Sequence, residues 1–126
     1  FRMSEQYQFQ ALGRKVDGPN RNLEVFPAPK GVSDITFTTD EFTSHCPVTG
    51  QPDFSAVTIE YQPDEWCIES KSLKLYLWSF RNETAFCESL AAQIAADIRE
   101  ACKPKKCKVT VAQKARGGIA LTAVAE

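Results

Sequence analysis

The spacing of apolar residues changes twice along this chain, and the order of those changes leaves few architectures open. From Val32 to Phe42 the sequence alternates, with Ile35 and Phe37 set against Thr36 and Thr38. From Phe54 to Tyr61 it alternates again: Val57, Ile59 and Tyr61 fall on one face, Thr58 and Glu60 on the other. A period of two predicts strands, and these two are expected to pair antiparallel. After a Pro63-Asp64-Glu65 turn and Trp66-Cys67-Ile68, the period lengthens. Leu73, Tyr76, Leu77 and Phe80 fall at helical spacing within residues 69–80, and Arg81-Asn82 ends the pattern. Thr84 is the expected N-cap of a second helix running to about Ala101, with Phe86, Leu90, Ala91, Ile94 and Ile98 inward. Pro104 bars its continuation. Residues 108–113 and 119–124 then read as two closing strands around a Gly117-Gly118 turn. Strand, strand, helix, helix, strand, strand predicts an α+β domain with two helices on one face of an antiparallel sheet.

A chain of 126 residues is one domain, and 43% hydrophobic with 25% charged residues is ordinary for a soluble globular protein. The net charge of -1 provides no basic field for a polyanion, so a nucleic-acid partner is not expected. No apolar run approaches the roughly 20 residues of a membrane span. Phe1-Arg2-Met3-Ser4 has no secretory apolar region, and Met3 is the expected native start. Residues up to about Pro29 are polar and broken by Gly13, Gly18, Pro19, Pro27 and Pro29. They predict an extended arm over residues 1–31 ahead of a single domain at 32–126. Five cysteines, an odd number without a signal peptide, point to reduced thiols in a cytoplasmic protein. Cys102 and Cys107 are the one close pair; a structural zinc site needs a second, so no metal is expected.

Cys46 stands apart from the other thiols. Pro47, Gly50 and Pro52 place it on a constrained loop, not in an apolar run, and Asp53 follows seven positions on. A thiol nucleophile beside a carboxylate that moves its protons is a reactive arrangement. His45 is the only histidine, but adjacent residues of an extended chain point apart, which argues against a His45–Cys46 dyad. Lys71 and Lys74 lie three apart on one helix face, either as a solvated ridge or as contacts for phosphate groups. No G-x-G-x-x-G is present, so a Rossmann cofactor site is excluded. Glu88 opens the second helix, where the dipole favours a carboxylate and where it could also take two donors from a guanine-type base. Arg116, before the glycine turn, is a possible anion contact.

The stretch Cys46-Pro47-Val48-Thr49-Gly50-Gln51-Pro52-Asp53-Phe54 is joined by Glu69-Ser70-Lys71-Ser72-Leu73-Lys74-Leu75-Tyr76 and Ser79-Phe80-Arg81-Asn82. Together they closely resemble the short 7-cyano-7-deazaguanine reductases, the NADPH-dependent nitrile reductases of queuosine biosynthesis, a tRNA modification. The similarity runs from about Val32 to the C-terminus and includes Arg116-Gly117-Gly118-Ile119. It implies the tunnelling fold, a single catalytic domain whose copies assemble into barrel-shaped homo-oligomers with active sites between subunits. It also implies residue roles. Cys46 would attack the nitrile carbon to give a thioimide, and Asp53 would exchange the protons. Glu88 would anchor the base, with Ile68, Glu69 and Ser70 lining the pocket. Lys71 and Lys74, and Arg116 as an anion contact, would hold NADPH. The family usually has His-Glu where this chain has Cys87-Glu88, and a thiol is a weaker partner for the substrate than an imidazole. Two other readings stand beside this one. The first is a related enzyme in which ammonia attacks the same thioimide to form an amidine on a base in nucleic acid. The second is a base-binding subunit without catalysis.

Overall fold

The computed structural model describes residues 20–126. Its elements, in chain order, are β1 (Val25–Pro27), β2 (Ile35–His45), β3 (Pro52–Gln62), β4 (Trp66–Ile68), α1 (Ser70–Trp78), α2 (Cys87–Cys102), β5 (Lys106–Arg116) and β6 (Ile119–Ala125). The four long strands form an antiparallel sheet in the order β2-β3-β5-β6, and β1 pairs with β4 in a second, two-stranded sheet. The expected α+β architecture is present, with both helices on one face.

β3 shows why the sheet has an inside. Asp53, Ser55, Val57, Ile59 and Tyr61 are buried, and the residues between them are more open. Val109 and Val111 of β5 extend that apolar surface, and α2 covers it with Leu90, Ala91, Ile94, Ala95, Ile98 and Cys102. These positions recur every three or four residues, so a single stripe of the helix meets the sheet. Leu73 and Tyr76 of α1, with Phe80 beyond it, close the core toward β2. Lys103 ends α2 in the left-handed conformation, its N–H donating to Arg99 O at 2.9 Å, and Pro104 follows.

Two β-bulges alter the phase of the sheet near one end. In β2, Thr39 faces Val57 while Phe42 faces Ser55, so β2 carries one residue more than β3 across that interval. The inward series Ile35, Phe37, Thr39 therefore becomes Phe42, Ser44, and the loop residue Cys46 continues it. In β5, Gln113 faces Leu121 while Arg116 faces Ile119, again one residue extra. This second shift moves Arg116 onto the face that carries Val109 and Val111. The β5–β6 turn is a two-residue hairpin in which Gly117 and Gly118 have φ of +58° and +79°, conformations that L side chains resist.

Three local expectations change. Helix α2 begins at Cys87, not after Thr84, and Phe86 is 58% exposed rather than inward. The cause is β2: His45 N–H donates to Glu83 O at 2.8 Å and Ala85 N–H donates to His45 O at 3.2 Å. Thr84 is thereby held in a bridge to His45 and cannot cap a helix. Trp66-Cys67-Ile68, expected only as a connection, is a strand. Its partner comes from the arm, where Val25 pairs with Ile68 and Pro27 with Trp66, and Leu23 and Val25 pack on the core. Arg21 adds to this docking by pairing with Glu83 and lying 3.8 Å over the Phe80 ring. Residues 1–19 of the expected arm lie outside the described residues.

Ile94 is fully buried between α2 and the sheet. Ile94→Ala is expected to lower the unfolding free energy by about 2–5 kcal/mol, read from urea denaturation monitored by circular dichroism.

Candidate active site

Cys46 follows β2 directly and opens a closed loop. Its N–H donates to Gln51 O and its carbonyl accepts from Gly50 N–H, both at 2.9 Å. That second bond spans four residues, so residues 47–49 form one helical turn with Cys46 in the N-cap position. Pro47 is suited to the first position of such a turn, and Gly50, at φ +72°, leaves it in the left-handed conformation. The free amides of Val48 and Thr49 point at the Cys46 sulfur, as they would at any N-cap side chain. Thr49 contributes more than its amide. Its Oγ1 accepts from Gln51 N–H at 3.3 Å, which leaves the hydroxyl hydrogen for the sulfur. The Thr49 hydroxyl, the two amides and the Arg116 guanidinium together hold the Cys46 pKa down to about 6. The Cys46 sulfur is therefore mostly thiolate at neutral pH. His45 braces the loop from outside, its Nδ1–H donating to Gly50 O at 3.1 Å.

Asp53 sits opposite Ser44 at the start of β3, and both are buried. Asp53 Oδ1 lies 2.6 Å from Arg116 Nη1 as an ion pair, without a hydrogen bond directed at that oxygen. Ser44 Oγ is likewise unpartnered. Buried polar atoms are nearly always satisfied, so Ser44 Oγ, with no hydrogen bond, beside an Asp53 oxygen held only by the ion pair marks this end of the sheet as suited to a polar ligand. Cys46, Asp53, Ser44 and Arg116 thus converge from the ends of three strands.

The other expected residues divide into two groups. Cys87 is close to this cluster, but its thiol donates to Val111 O at 3.4 Å inside the core, and burial raises its pKa. The thiol is thus engaged with the core backbone. Glu88, one residue on, is exposed in the first turn of α2. Ile68, Glu69 and Ser70 lie elsewhere. Ile68 N–H donates to the Tyr61 hydroxyl at 2.9 Å, and Tyr61 is eight residues from Asp53 along β3, about 26 Å of strand. Glu69 is buried, and its two carboxylate oxygens accept from the Lys71 and Ser72 amides at 2.7 Å each, capping α1. Ser70 and Lys74 are exposed, and Lys71 is half-buried. Ser70 and Lys74 border a groove of about 630 Å³ between α1 and β2, along with Arg81, Trp78, Phe37 and Leu77. Ile68 therefore lies at the Tyr61 end of β3, away from the Cys46 cluster, while the groove beside α1 runs along β2 as far as Thr43, which pairs with Phe54. Among the described residues no three His, Cys, Asp or Glu side chains gather in a metal-binding cluster, and no helix is long and apolar enough to cross a membrane.

Sequence reasoning missed Thr49, Ser44 and the place of Arg116. Thr49 was legible: Cys-Pro-x-Thr-Gly is an N-cap, a first-turn proline, a third-position hydroxyl and a terminating glycine. Ser44 and Arg116 depend on bulges that no local signal marks.

The fold and this cluster define a class: α+β domains in which a thiolate at a strand end and a buried carboxylate share one guanidinium. Comparison with known proteins makes it specific. The family described as QueF-like protein matches residues 52–126, and the chain belongs to that family. A relative from Syntrophus aciditrophicus is 50% identical over 117 residues, 91% of this chain and 83% of its own length. One from Nitrosococcus oceani is 47% identical over 110 residues, 86% of this chain and 85% of its own. Both are named NADPH-dependent 7-cyano-7-deazaguanine reductase. Among solved structures, the apo form of an archaeosine synthase described as QueF-Like superposes with a TM-score of 0.72 at 27% identity. The match covers 76% of this chain and 94% of that one.

Alkylation of Cys46 by iodoacetamide, followed by mass spectrometry of its peptide, should rise with pH through a midpoint near 6. An unperturbed thiol would rise near 8.5. Thr49→Val is expected to raise the midpoint by about one pH unit, and Thr49→Ser to restore it.

Proposed function

We propose that this chain is an NADPH-dependent oxidoreductase that reduces the nitrile of 7-cyano-7-deazaguanine to 7-aminomethyl-7-deazaguanine in queuosine biosynthesis. The observation that supports this reading is the Cys46 thiolate and the buried Asp53 carboxylate meeting at one guanidinium, that of Arg116. The relatives' names supply the substrate and the cofactor.

A nitrile is a weak electrophile, and adding a nucleophile to it places charge on nitrogen. The Cys46 sulfur attacks the nitrile carbon and forms a thioimide, and Asp53 delivers the proton that neutralises the nitrogen. Dividing the reaction this way avoids direct hydride attack on the nitrile. Asp53 then supports the later protonations, and Cys46 leaves as thiolate when the carbon–sulfur bond breaks. Glu88 accepts donors from the edge of the base. The groove beside α1 suits the phosphate-bearing cofactor: Lys74 and Arg81 supply cations on its rim, and Phe37 and Leu77 an apolar wall. Lys71 belongs to the same helical turn. Bound there, an NADPH would supply one hydride, and two NADPH molecules in succession would be needed per nitrile.

The separation of Ile68 from the Cys46 cluster supports a homo-oligomer. Cys46, Asp53 and Glu88 of one copy would meet Ile68, Glu69 and Ser70 of a neighbour, with Glu69 fixing the first turn of α1 at that junction. β2 and β6 are the outer strands of the four-stranded sheet, so copies joining there would continue it toward a barrel. All five cysteines are unpaired, which supports a cytoplasmic setting.

The likeness to an archaeosine synthase favours a second reading, amidine formation from the same thioimide. The higher identity of the reductases over most of the chain weighs against it. Incubation with 7-cyano-7-deazaguanine and NADPH, followed at the nicotinamide absorbance band, is expected to consume two NADPH per nitrile and yield the aminomethyl product. Cys46→Ala is expected to abolish turnover. An adduct on Cys46 without NADPH oxidation would overturn the reductase in favour of amidine formation. Unaltered ligand binding by Cys46→Ala, with no turnover by either protein, would favour a base-binding subunit.

A further inference from the structure

Arg116 is the residue whose position differs most from its expected role. As a hairpin residue it was a candidate to contact the cofactor, yet the β5 bulge and the Gly117-Gly118 turn direct it inward. There its Nη1 lies 2.6 Å from Asp53 Oδ1, and the guanidinium also reaches the Cys46 sulfur. A guanidinium is a planar fork with several N–H groups, so it can serve two anions at once, whereas an ammonium is a point charge. Asp53 is 4% exposed, and a buried carboxylate needs a counter-charge.

We propose that Arg116 is a positioning residue for the reaction: its guanidinium bridges the Cys46 sulfur and the Asp53 carboxylate and holds the two in register. Its consequence for turnover rests on the nitrile-reductase reading. With the sulfur already ionised, Cys46 brings no proton to the step. When the sulfur lone pair forms the carbon–sulfur bond, one carbon–nitrogen π pair moves to nitrogen. Asp53 then takes a proton from water and passes it to that nitrogen, returning to carboxylate. Adduct formation therefore takes up one proton from solvent. Without Arg116 a larger share of the thiol keeps its own proton, which Asp53 relays to nitrogen, and the net uptake from solvent is smaller.

The other titratable groups around the pair are accounted for. His45, at the end of β2, is turned to the Gly50 carbonyl, and Cys87, on α2, to the Val111 carbonyl. Glu88, also on α2, carries the same sign as the thiolate and cannot stabilise it. From β5 the cation is Arg116.

The pH profile of Cys46 alkylation tests the proposal without substrate. Arg116→Ala is expected to move the midpoint up by about one pH unit, and Arg116→Lys, which keeps the charge and loses the fork, by less. Circular dichroism and the thermal midpoint of each variant establish that it folds, and an unfolded Arg116→Ala leaves Arg116→Lys to decide. A folded variant with an unchanged profile would overturn the bridging role. In weakly buffered solution with a pH indicator, adding 7-cyano-7-deazaguanine without NADPH should take up one proton per adduct in the parent protein. At pH 7 the uptake should fall to about half a proton per adduct in Arg116→Ala, and equal uptake in both would also overturn the proposal. Failure of the reductase reading looks different: no NADPH oxidation, with the alkylation shift intact.

Discussion

The site depends on two strands that are each one residue too long for their partners. A strand places successive side chains on opposite faces, so a single extra residue reverses every position after it. In β2 the reversal lets Cys46 continue the inward series of Phe42 and Ser44; without it, His45 would point in. In β5 the reversal brings Arg116 to the same face. The Arg116 guanidinium then reaches both Asp53, on the regular strand between them, and the Cys46 sulfur. The apolar core holds this arrangement from beneath through Val57, Val111 and the buried stripe of α2.

A polar end on an apolar core would normally be a defect, because unsatisfied buried groups cost free energy. Here the expense is concentrated at one end of the sheet, where Ser44 Oγ has no hydrogen bond and Asp53 is held by Arg116 alone. Glu69 is committed to capping α1, and Ile68 beside it bonds to Tyr61 at the far end of β3 from Asp53. Under the proposed assembly a neighbouring copy would bring the two together, and catalysis would depend on association.

Much of this was legible in the sequence. The alternation of Val57, Ile59 and Tyr61 and the helical spacing of Leu90, Ala91, Ile94 and Ile98 gave the element order and the layers, because burial imposes those periods. Cys46 and Asp53 were legible from the turn residues around them. Thr84 misled because a residue's capping propensity is local, whereas its capture by the His45 backbone is a long-range event. The docking of β1 was hidden for a similar reason: a three-residue strand broken by Pro27 has no periodicity to read. The bulges were invisible because an extra residue in a strand changes the register without changing the composition. Cys87 was recognisable as a departure from its family, but only the contact with Val111 O shows that its thiol belongs to the core.

The most direct measurement is the intact mass of the protein after incubation with 7-cyano-7-deazaguanine alone, with peptide mapping of the modified residue. The account predicts a mass increase equal to one substrate molecule per chain, located on Cys46 and absent when Asp53 is replaced by alanine or Cys46 is alkylated beforehand. An unchanged mass in the folded protein, or a label on Cys87 with Cys46 unmodified, would contradict the thiolate mechanism.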